Sequence, residues 1–382
     1  MTKKCNEVKK KVLFVATVKG HIKAFHIPYL KLFKENGYET YVATKENKEV
    51  TIEYCDHFIS IPFERSPFHV NNIKSYRTLK KYLEKENFDI IHCHTPVAAA
   101  ITRLAAKKSR KQGTKVFYTA HGFHFFNGAP IQNWIIYYPV EKWLARYTDV
   151  LITINQEDYQ RAKNKFHAEK VEYIPGVGVD LKKFRLKDDF NRTGYRRKLG
   201  LKSEDIMLLS VGELNKNKNH QVVVRALAEI NDSKLQYFIA GKGILKDDLE
   251  ELSKKLNISS QIHLLGYRDD IPELLASADI FCFPSFREGL GLAAIEAMAC
   301  GLPLITSNIH GINDYSKEGI TGYKCSPDDV KEFSSSIRKM IEFPIEMMEF
   351  GENNRVAAKK YDLKNSIKKM KKIYILNCNN NK

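Results

Sequence analysis

No stretch of this 382-residue chain offers the roughly 18–20 consecutive apolar residues that a membrane-crossing helix requires. The opening residues, Met1-Thr-Lys-Lys-Cys-Asn-Glu, lack the apolar core of a secretory signal. Both absences point to a cytoplasmic protein. The seven cysteines, at 5, 55, 93, 282, 300, 325 and 378, include no C-x-x-C pair. An odd, unpatterned set argues against a disulfide framework or a cysteine-built zinc site and implies reduced thiols. No G-x-G-x-x-G follows the first strand, so a dinucleotide cofactor is not expected. The chain also has no RRM, zinc finger or helix-turn-helix, which leaves nucleic-acid binding without a recognisable module.

Acid is scarce in one half. Residues 1–185 hold 32 Lys and Arg against 18 Asp and Glu, while residues 186–382 hold 30 against 27. The first half therefore suits something anionic, whether nucleic acid, an anionic membrane surface or a phosphorylated substrate. Lysines kept for solubility are the plainer alternative. With 43% hydrophobic residues, the composition is that of a globular protein with core enough for two or three domains.

The stretch from Phe283 to Pro303 is the most informative. Ile280-Phe281-Cys282-Phe283 reads as a buried strand, Gly289-Leu290-Gly291 as a tight turn, and Leu292–Cys300 as a helix stopped by Gly301 and Pro303. That helix is apolar except at Glu296, and a buried carboxylate needs something to offset its desolvation. Glu288 lies eight residues earlier, at most about 12 Å away at the helical rise. That separation is too long for a carboxylate dyad but suits an elongated polyol held at two points. The N–H groups of Gly289, Leu290, Gly291 and Leu292 would then face its middle, where a helix N-terminus favours phosphate. Sugar, diphosphate and ribose in a row make a nucleotide sugar. The plainer reading is a glycine turn with one Glu facing solvent or a buried Arg.

Glu288-x7-Glu296 within E-G-L-G-L-A-A-I-E-A-M-A-C-G-L-P resembles the signature of the retaining glycosyltransferases of family 4. That resemblance implies the GT-B fold: an α/β protein of two Rossmann-like α/β/α domains with a deep interdomain cleft. The expected domains are residues 1–183 on the acceptor side and 184–361 on the nucleotide-sugar side, with a C-terminal helix over about 362–378 packing back on the first.

In the first half, Lys11–Thr17 is a buried strand and Tyr38–Ala43 a second, with a loop from Val18 and a helix from about His26 to Asn36 between them. The resemblance makes Gly20, His21 and His26 acceptor-side residues; His26 could equally cap a helix or pack. Asp89–Pro96 is a strand ending in His92-Cys93-His94. The two histidines share a face, but no third metal ligand is near in sequence, so a polar strand end lining the acceptor side is the better reading of His94, and no metal site is expected. Lys115–Ala120 is the next strand, and His121 stands at its carboxyl end, where open α/β sheets bind ligands. In T-A-H-G-F-H, His121 matches the family's histidine beside the donor sugar. Asn133–Tyr147 is aromatic-rich, either core or a surface that dips into headgroups. The run E-K-x-L-A…D-x-L-I-T-I-N-x-E-D…I-P-G-V-G-V-D resembles the polysaccharide-assembly branch, which serves capsules and exopolysaccharides.

The second half begins after a polar, basic boundary at 184–203. Ile206–Gly212 restarts a sheet, and Gly212 is counted with the donor-binding residues. The family places Arg and Lys five apart in the loop that follows. Lys218 matches the Lys, Glu213 stands where the Arg is expected, and Lys216 is the substitute. Tyr267 and Arg268 fall where the family holds the nucleotide base. Asn365–Leu376 is a basic amphipathic helix, suited either to packing or to a membrane surface.

The implied reaction moves a hexose or N-acetylhexosamine, with retention, from a nucleotide diphosphate sugar, UDP being the expected nucleotide. His121 and Glu288 are the catalytic residues, and Glu296 holds the ribose. No cofactor or metal is expected, since the family needs none and no D-x-D motif ends a suitable strand. The acceptor expected from the basic first half is a lipid-linked saccharide, with the protein peripheral at the inner face of an anionic membrane. A GT-B epimerase or hydrolase would need acid/base carboxylates that are not identifiable, and a nucleic-acid binder has only the pI of 9.3 behind it.

Overall fold

The computed structural model describes residues 9–46, 51–184 and 189–378. The expectation resting on residues 1–7, and the part of the 184–203 boundary at 185–188, lie outside the described residues. The chain divides into two compact units, residues 1–177 with 366–382, and residues 178–365.

The first unit is built on seven strands: β1 (Lys11–Val18), β2 (Glu39–Lys45), β3 (His57–Ser60), β4 (Ile90–His94), β5 (Lys115–Ala120), β6 (Val150–Thr153) and β7 (Lys170–Tyr173). All pair in parallel, in the order β3-β2-β1-β4-β5-β6-β7. Helices cover both faces, which is why β4 and β6 are buried at every residue; β6 reads as an almost wholly apolar run, whereas β4 carries two buried histidines at its carboxyl end. The chain winds outward from β1 through β2 to β3, then returns to lay β4 on the other side of β1. Between β1 and β4 the strand order reverses, and the carboxyl ends there border the crevice in which such sheets bind ligands.

The second unit repeats the plan with β8 (Ile206–Val211), β9 (Leu235–Ala240), β10 (Ile262–Gly266), β11 (Ile280–Phe283), β12 (Leu304–Ser307) and β13 (Gly322–Cys325). The parallel order is β10-β9-β8-β11-β12-β13, so the reversal lies between β8 and β11. The expected α/β class, two units each built on a parallel sheet, is the one observed.

Two helices complete the first unit's site. Lys19–Phe25, expected as loop, is helical, and Ile22 in its middle is fully buried. Its end is marked by the His26 N–H donating to Ile22 O, after which Ile27–Glu35 starts with Pro28 in its first turn. The final helix, Leu363–Cys378, buries Met370, Ile373 and Tyr374 in the first unit. The Tyr374 ring centroid lies 4.7 Å from that of Phe33 and 5.3 Å from that of Phe117.

Helix Ile131–Ala145 has two different faces. Leu144, Ala145 and Glu141 turn inward, Glu141 accepting from the wholly buried Arg103 at 2.9 Å, and the Arg103 guanidinium lies 4.1 Å from the Tyr118 ring centroid. Ile131, Ile135, Ile136, Val140 and Trp143 are exposed on the opposite side. No helix among the described residues is long and apolar enough to cross a membrane.

Candidate functional site

The second unit's residues converge at its switch point. After β11 the chain makes its turn and enters helix Leu292–Cys300, which closes on Gly301 as expected. Gly291 has φ +87°, and a Cβ there would stand 2.5 Å from the Phe283 ring, so both backbone and space demand glycine. Leu290 sends its side chain into the core, which leaves its backbone as the part able to meet a ligand.

Lys218 and Glu288, 70 residues apart in sequence, meet here, with Nζ 2.5 Å from Oε1. The same ammonium lies 5.0 Å from the Phe283 ring centroid. Gly212, at the end of β8, makes room for this reach, since a Cβ on it would lie 3.3 Å from Lys218 Cε. Asparagines tie the two loops together. Asn217 donates to Arg287 O at 3.0 Å and accepts from the Phe286 N–H on its own carbonyl at 2.8 Å. Asn219, at φ +52°, donates to Pro284 O and Pro327 O. Asn215 caps the Lys216–Lys218 turn by accepting from the Lys218 N–H.

Glu213, which replaces the expected Arg, is exposed and accepts from Asn215 Nδ2 at 2.8 Å within its own loop. Lys216 is also exposed. Glu296 is half-buried, and burial lifts its carboxyl above the usual range; Lys183 is the charge among the described residues that opposes this. Hydroxyl donors from a ligand would relieve that desolvation. Tyr267 is exposed, but Arg268 is already engaged, donating to Asp270 at 2.8 and 2.5 Å and to Tyr195 Oη at 3.2 Å. Tyr315 was not anticipated. It is buried with its hydroxyl unpartnered, and its pKa rises well above the usual value through burial and then the Glu288 charge.

At the first unit's switch point five histidines crowd together. His21 and His26 come from the helix after β1, His92 and His94 from β4, and His121 follows β5. His21 Nδ1 and His26 Nε2 are 3.2 Å apart, and His121 Nε2 and His94 Nδ1 3.5 Å. The His26 and His94 rings stack with centroids at 3.7 Å, and His21 meets His121 edge-on at 4.5 Å. Burial keeps all of them neutral: His21 falls to about 4, His92 to about 3, and His26, His94 and His121 lie well below their ordinary value. His92 is held by Tyr374 Oη at 2.6 Å and Thr119 Oγ1 at 2.8 Å, and so serves the core. His94, read from the sequence as lining the acceptor side, is fully buried behind this group, while His21 and His121 are half-buried. Gly20 lies exposed beside His21.

Two family models match the chain, one for Glycosyltransferase Family 4 over residues 30–183 and one for Glycosyl transferases group 1 over residues 191–357. EpsD of Bacillus subtilis (strain 168), itself assigned only provisionally as a glycosyltransferase, is 40% identical over 96% of both chains. The UDP-Gal:alpha-D-GlcNAc-diphosphoundecaprenol alpha-1,3-galactosyltransferase of Escherichia coli is 33% identical over 70% of both. Among solved structures, Anabaena Alr3699/HepE in complex with UDP and glucose aligns at a TM-score of 0.78 with 18% identity, over 96% of this chain and 100% of that one. WaaG, a glycosyltransferase involved in lipopolysaccharide biosynthesis, aligns at 0.75 with 20% identity, over 95% and 99%. At these identities the structural matches speak for the fold.

Proposed function

The chain belongs to glycosyltransferase family 4, with the GT-B fold, and from that membership we propose that it transfers a hexose or N-acetylhexosamine from a UDP-sugar to a lipid-linked saccharide, with retention at the anomeric carbon, in the assembly of a surface polysaccharide. The observation that carries the proposal is the Lys218–Glu288 pair beside the Gly289–Leu292 turn. Before the donor arrives, each is the other's counterion. The diphosphate draws Lys218 onto its oxygens and frees Glu288 to accept from hydroxyls of the sugar. Lys218, with the N–H groups at the head of helix Leu292–Cys300, then stabilises the charge that develops on the leaving diphosphate. Glu296 accepts from the ribose hydroxyls. His121, neutral at pH 7, orients the sugar by hydrogen bonding rather than as a cation. In this scheme Lys218 and backbone dipoles supply the positive field, and the transfer requires no metal or other cofactor.

The name of the Escherichia coli relative gives UDP-Gal as donor and a diphosphoundecaprenol-linked GlcNAc as acceptor, which supports a UDP-sugar and a lipid-linked acceptor for this chain. A peripheral position on the inner face of an anionic membrane fits the outer face of helix Ile131–Ala145. There the exposed Ile131, Ile135, Val140 and Trp143 lie among Lys107, Lys142 and Arg146, and Lys107 Nζ is 5.2 Å from the Trp143 ring centroid.

The direct test is to offer a panel of UDP-sugars with a lipid-diphosphate-linked GlcNAc and to determine the anomeric configuration of any product by NMR. An α-linked product from an α-linked donor agrees with the proposal. An inverted product overturns retention, and free sugar as the sole product makes the protein a hydrolase.

A further inference from the structure

Orienting one sugar requires one or two imidazoles, yet the switch point of the first unit collects five. His92 is accounted for by Tyr374 and Thr119. We propose that His21, His26 and His121 form a binding site for a transition-metal ion of the zinc class, and that the bound ion inhibits transfer by taking His121 away from the donor. The inhibitory half rests on the role given to His121 above; the binding half does not.

Each of the three residues offers one ring nitrogen, and these nitrogens all lie within 4.8 Å of one another. Imidazole nitrogens bind zinc at about 2.0–2.1 Å, so two of them on a tetrahedral ion are about 3.4 Å apart. His21 Nδ1 and His26 Nε2, at 3.2 Å, already have that spacing, and the two edges to His121, neither longer than 4.8 Å, close with at most about 1.4 Å of movement each. Two neutral imidazoles meeting nitrogen to nitrogen can satisfy each other only if one carries the proton there, whereas a cation accepts the lone pairs of both. The packing also leaves the cluster's polar demand unmet: His26 Nδ1 and His94 Nε2, neither of them a nitrogen assigned to the ion, are buried and lack hydrogen-bond partners, in side chains 1% and 0% exposed.

The donor set is selective. Three imidazoles suit Zn, Cu or Ni, whereas Mg and Ca prefer oxygen. Because burial keeps these rings unprotonated at neutral pH, the ion does not compete with a proton for them. His21 and His121 are half-buried rather than fully enclosed, which leaves a fourth position for water or for a small anion that would offset the charge of an ion held without a carboxylate. His94, 3.5 Å from His121, stands behind the group and orients it. The sequence hides this set because its members come from a short helix and its cap and from a strand end about 100 residues later, and the H-C-H motif that draws attention holds none of the three.

The test titrates chelator-treated full-length protein with Co²⁺, read by its visible ligand-field absorption, then displaces it with Zn²⁺; UDP binding is measured on the same samples by calorimetry. The expected result is one ion per chain, with affinity at least tenfold weaker in His21→Asn and in His26→Gln and unchanged in His57→Gln, a surface histidine paired with Glu39. His21 is less buried than His26, so His21→Asn should fold even if His26→Gln does not, which circular dichroism checks. No saturable Co²⁺ binding by wild type, or binding indifferent to His21→Asn, overturns the site, and UDP binding then shows whether the donor reading survives on its own. Saturable binding with sugar transfer undiminished by Zn²⁺ overturns the inhibitory half alone.

Discussion

Lys218 and Glu288 form an ion pair, and the proposed transfer has them divide their labour once a donor is bound, so stability and catalysis should separate at these two positions. Lys218→Met should lower kcat about 10²–10³-fold, the usual loss when a group aimed at developing charge is removed. Glu288→Gln keeps the shape and loses the charge, and it should also cut turnover. The exchange Lys218→Glu with Glu288→Lys restores the ion pair but places each charge against the wrong part of the donor. It should recover most of the thermal stability lost in the single variants and none of the activity, checked by calorimetry and steady-state kinetics. At this scale the sequence was informative where chemistry is local. Glu288, Glu296 and the glycines stand in one 21-residue stretch, and a carboxylate on an apolar helix announces itself. Asn217, Asn219 and Tyr315 were not legible, because they act on backbone or charge far along the chain. A run of asparagines before a helix, tolerant of positive φ, was the available signal.

Among the elements, the buried parallel strands were read readily, since strands covered on both faces are written as unbroken apolar runs. Edge strand β3 was not, because Ile59 is its one buried residue. Helix Lys19–Phe25 was missed for a similar reason: seven residues anchored by Ile22 are too short to display a period, yet this helix places His21 and His26. Helix Ile131–Ala145 is apolar on two sides, so its sequence could not distinguish core from surface; the structure assigns Leu144 and Ala145 to the core and Ile135 and Trp143 to the outside. If that outer face meets a membrane, Ile135→Asp with Trp143→Ala should cut sedimentation with anionic vesicles at low salt at least tenfold while leaving UDP binding intact. Equal sedimentation of wild type and variant would remove the membrane from the account.

At the level of the whole molecule, both units gather their candidate site residues at the reversal of strand order, between β1 and β4 and between β8 and β11. This convergence was readable in part, from polar residues at strand carboxyl ends, but the strand order that makes those ends adjacent is a property of the fold. The buried histidines also make stability depend on pH. Their folded pKa values lie below the unfolded value of about 6.5, so between the two the unfolded chain binds more protons and stability falls as pH falls. The melting temperature should hold above pH 7 and decline from about pH 6.5 toward pH 4, as the unfolding free energy falls by up to about 1.4 kcal/mol per pH unit for each histidine. A flat profile across that window would mean that the cluster is already hydrated or protonated in the folded protein.

The central claim is that the second unit grips a nucleotide sugar through Lys218, the Gly289–Leu292 turn and Glu296. Thermal unfolding against UDP-, GDP- and ADP-sugars, in wild type and Glu296→Ala, tests it most directly, because a ligand that binds only the folded state raises the midpoint. The account predicts a rise with a UDP-sugar that the variant loses. A wild type unmoved by every nucleotide sugar, or a shift that persists undiminished in Glu296→Ala, would contradict it.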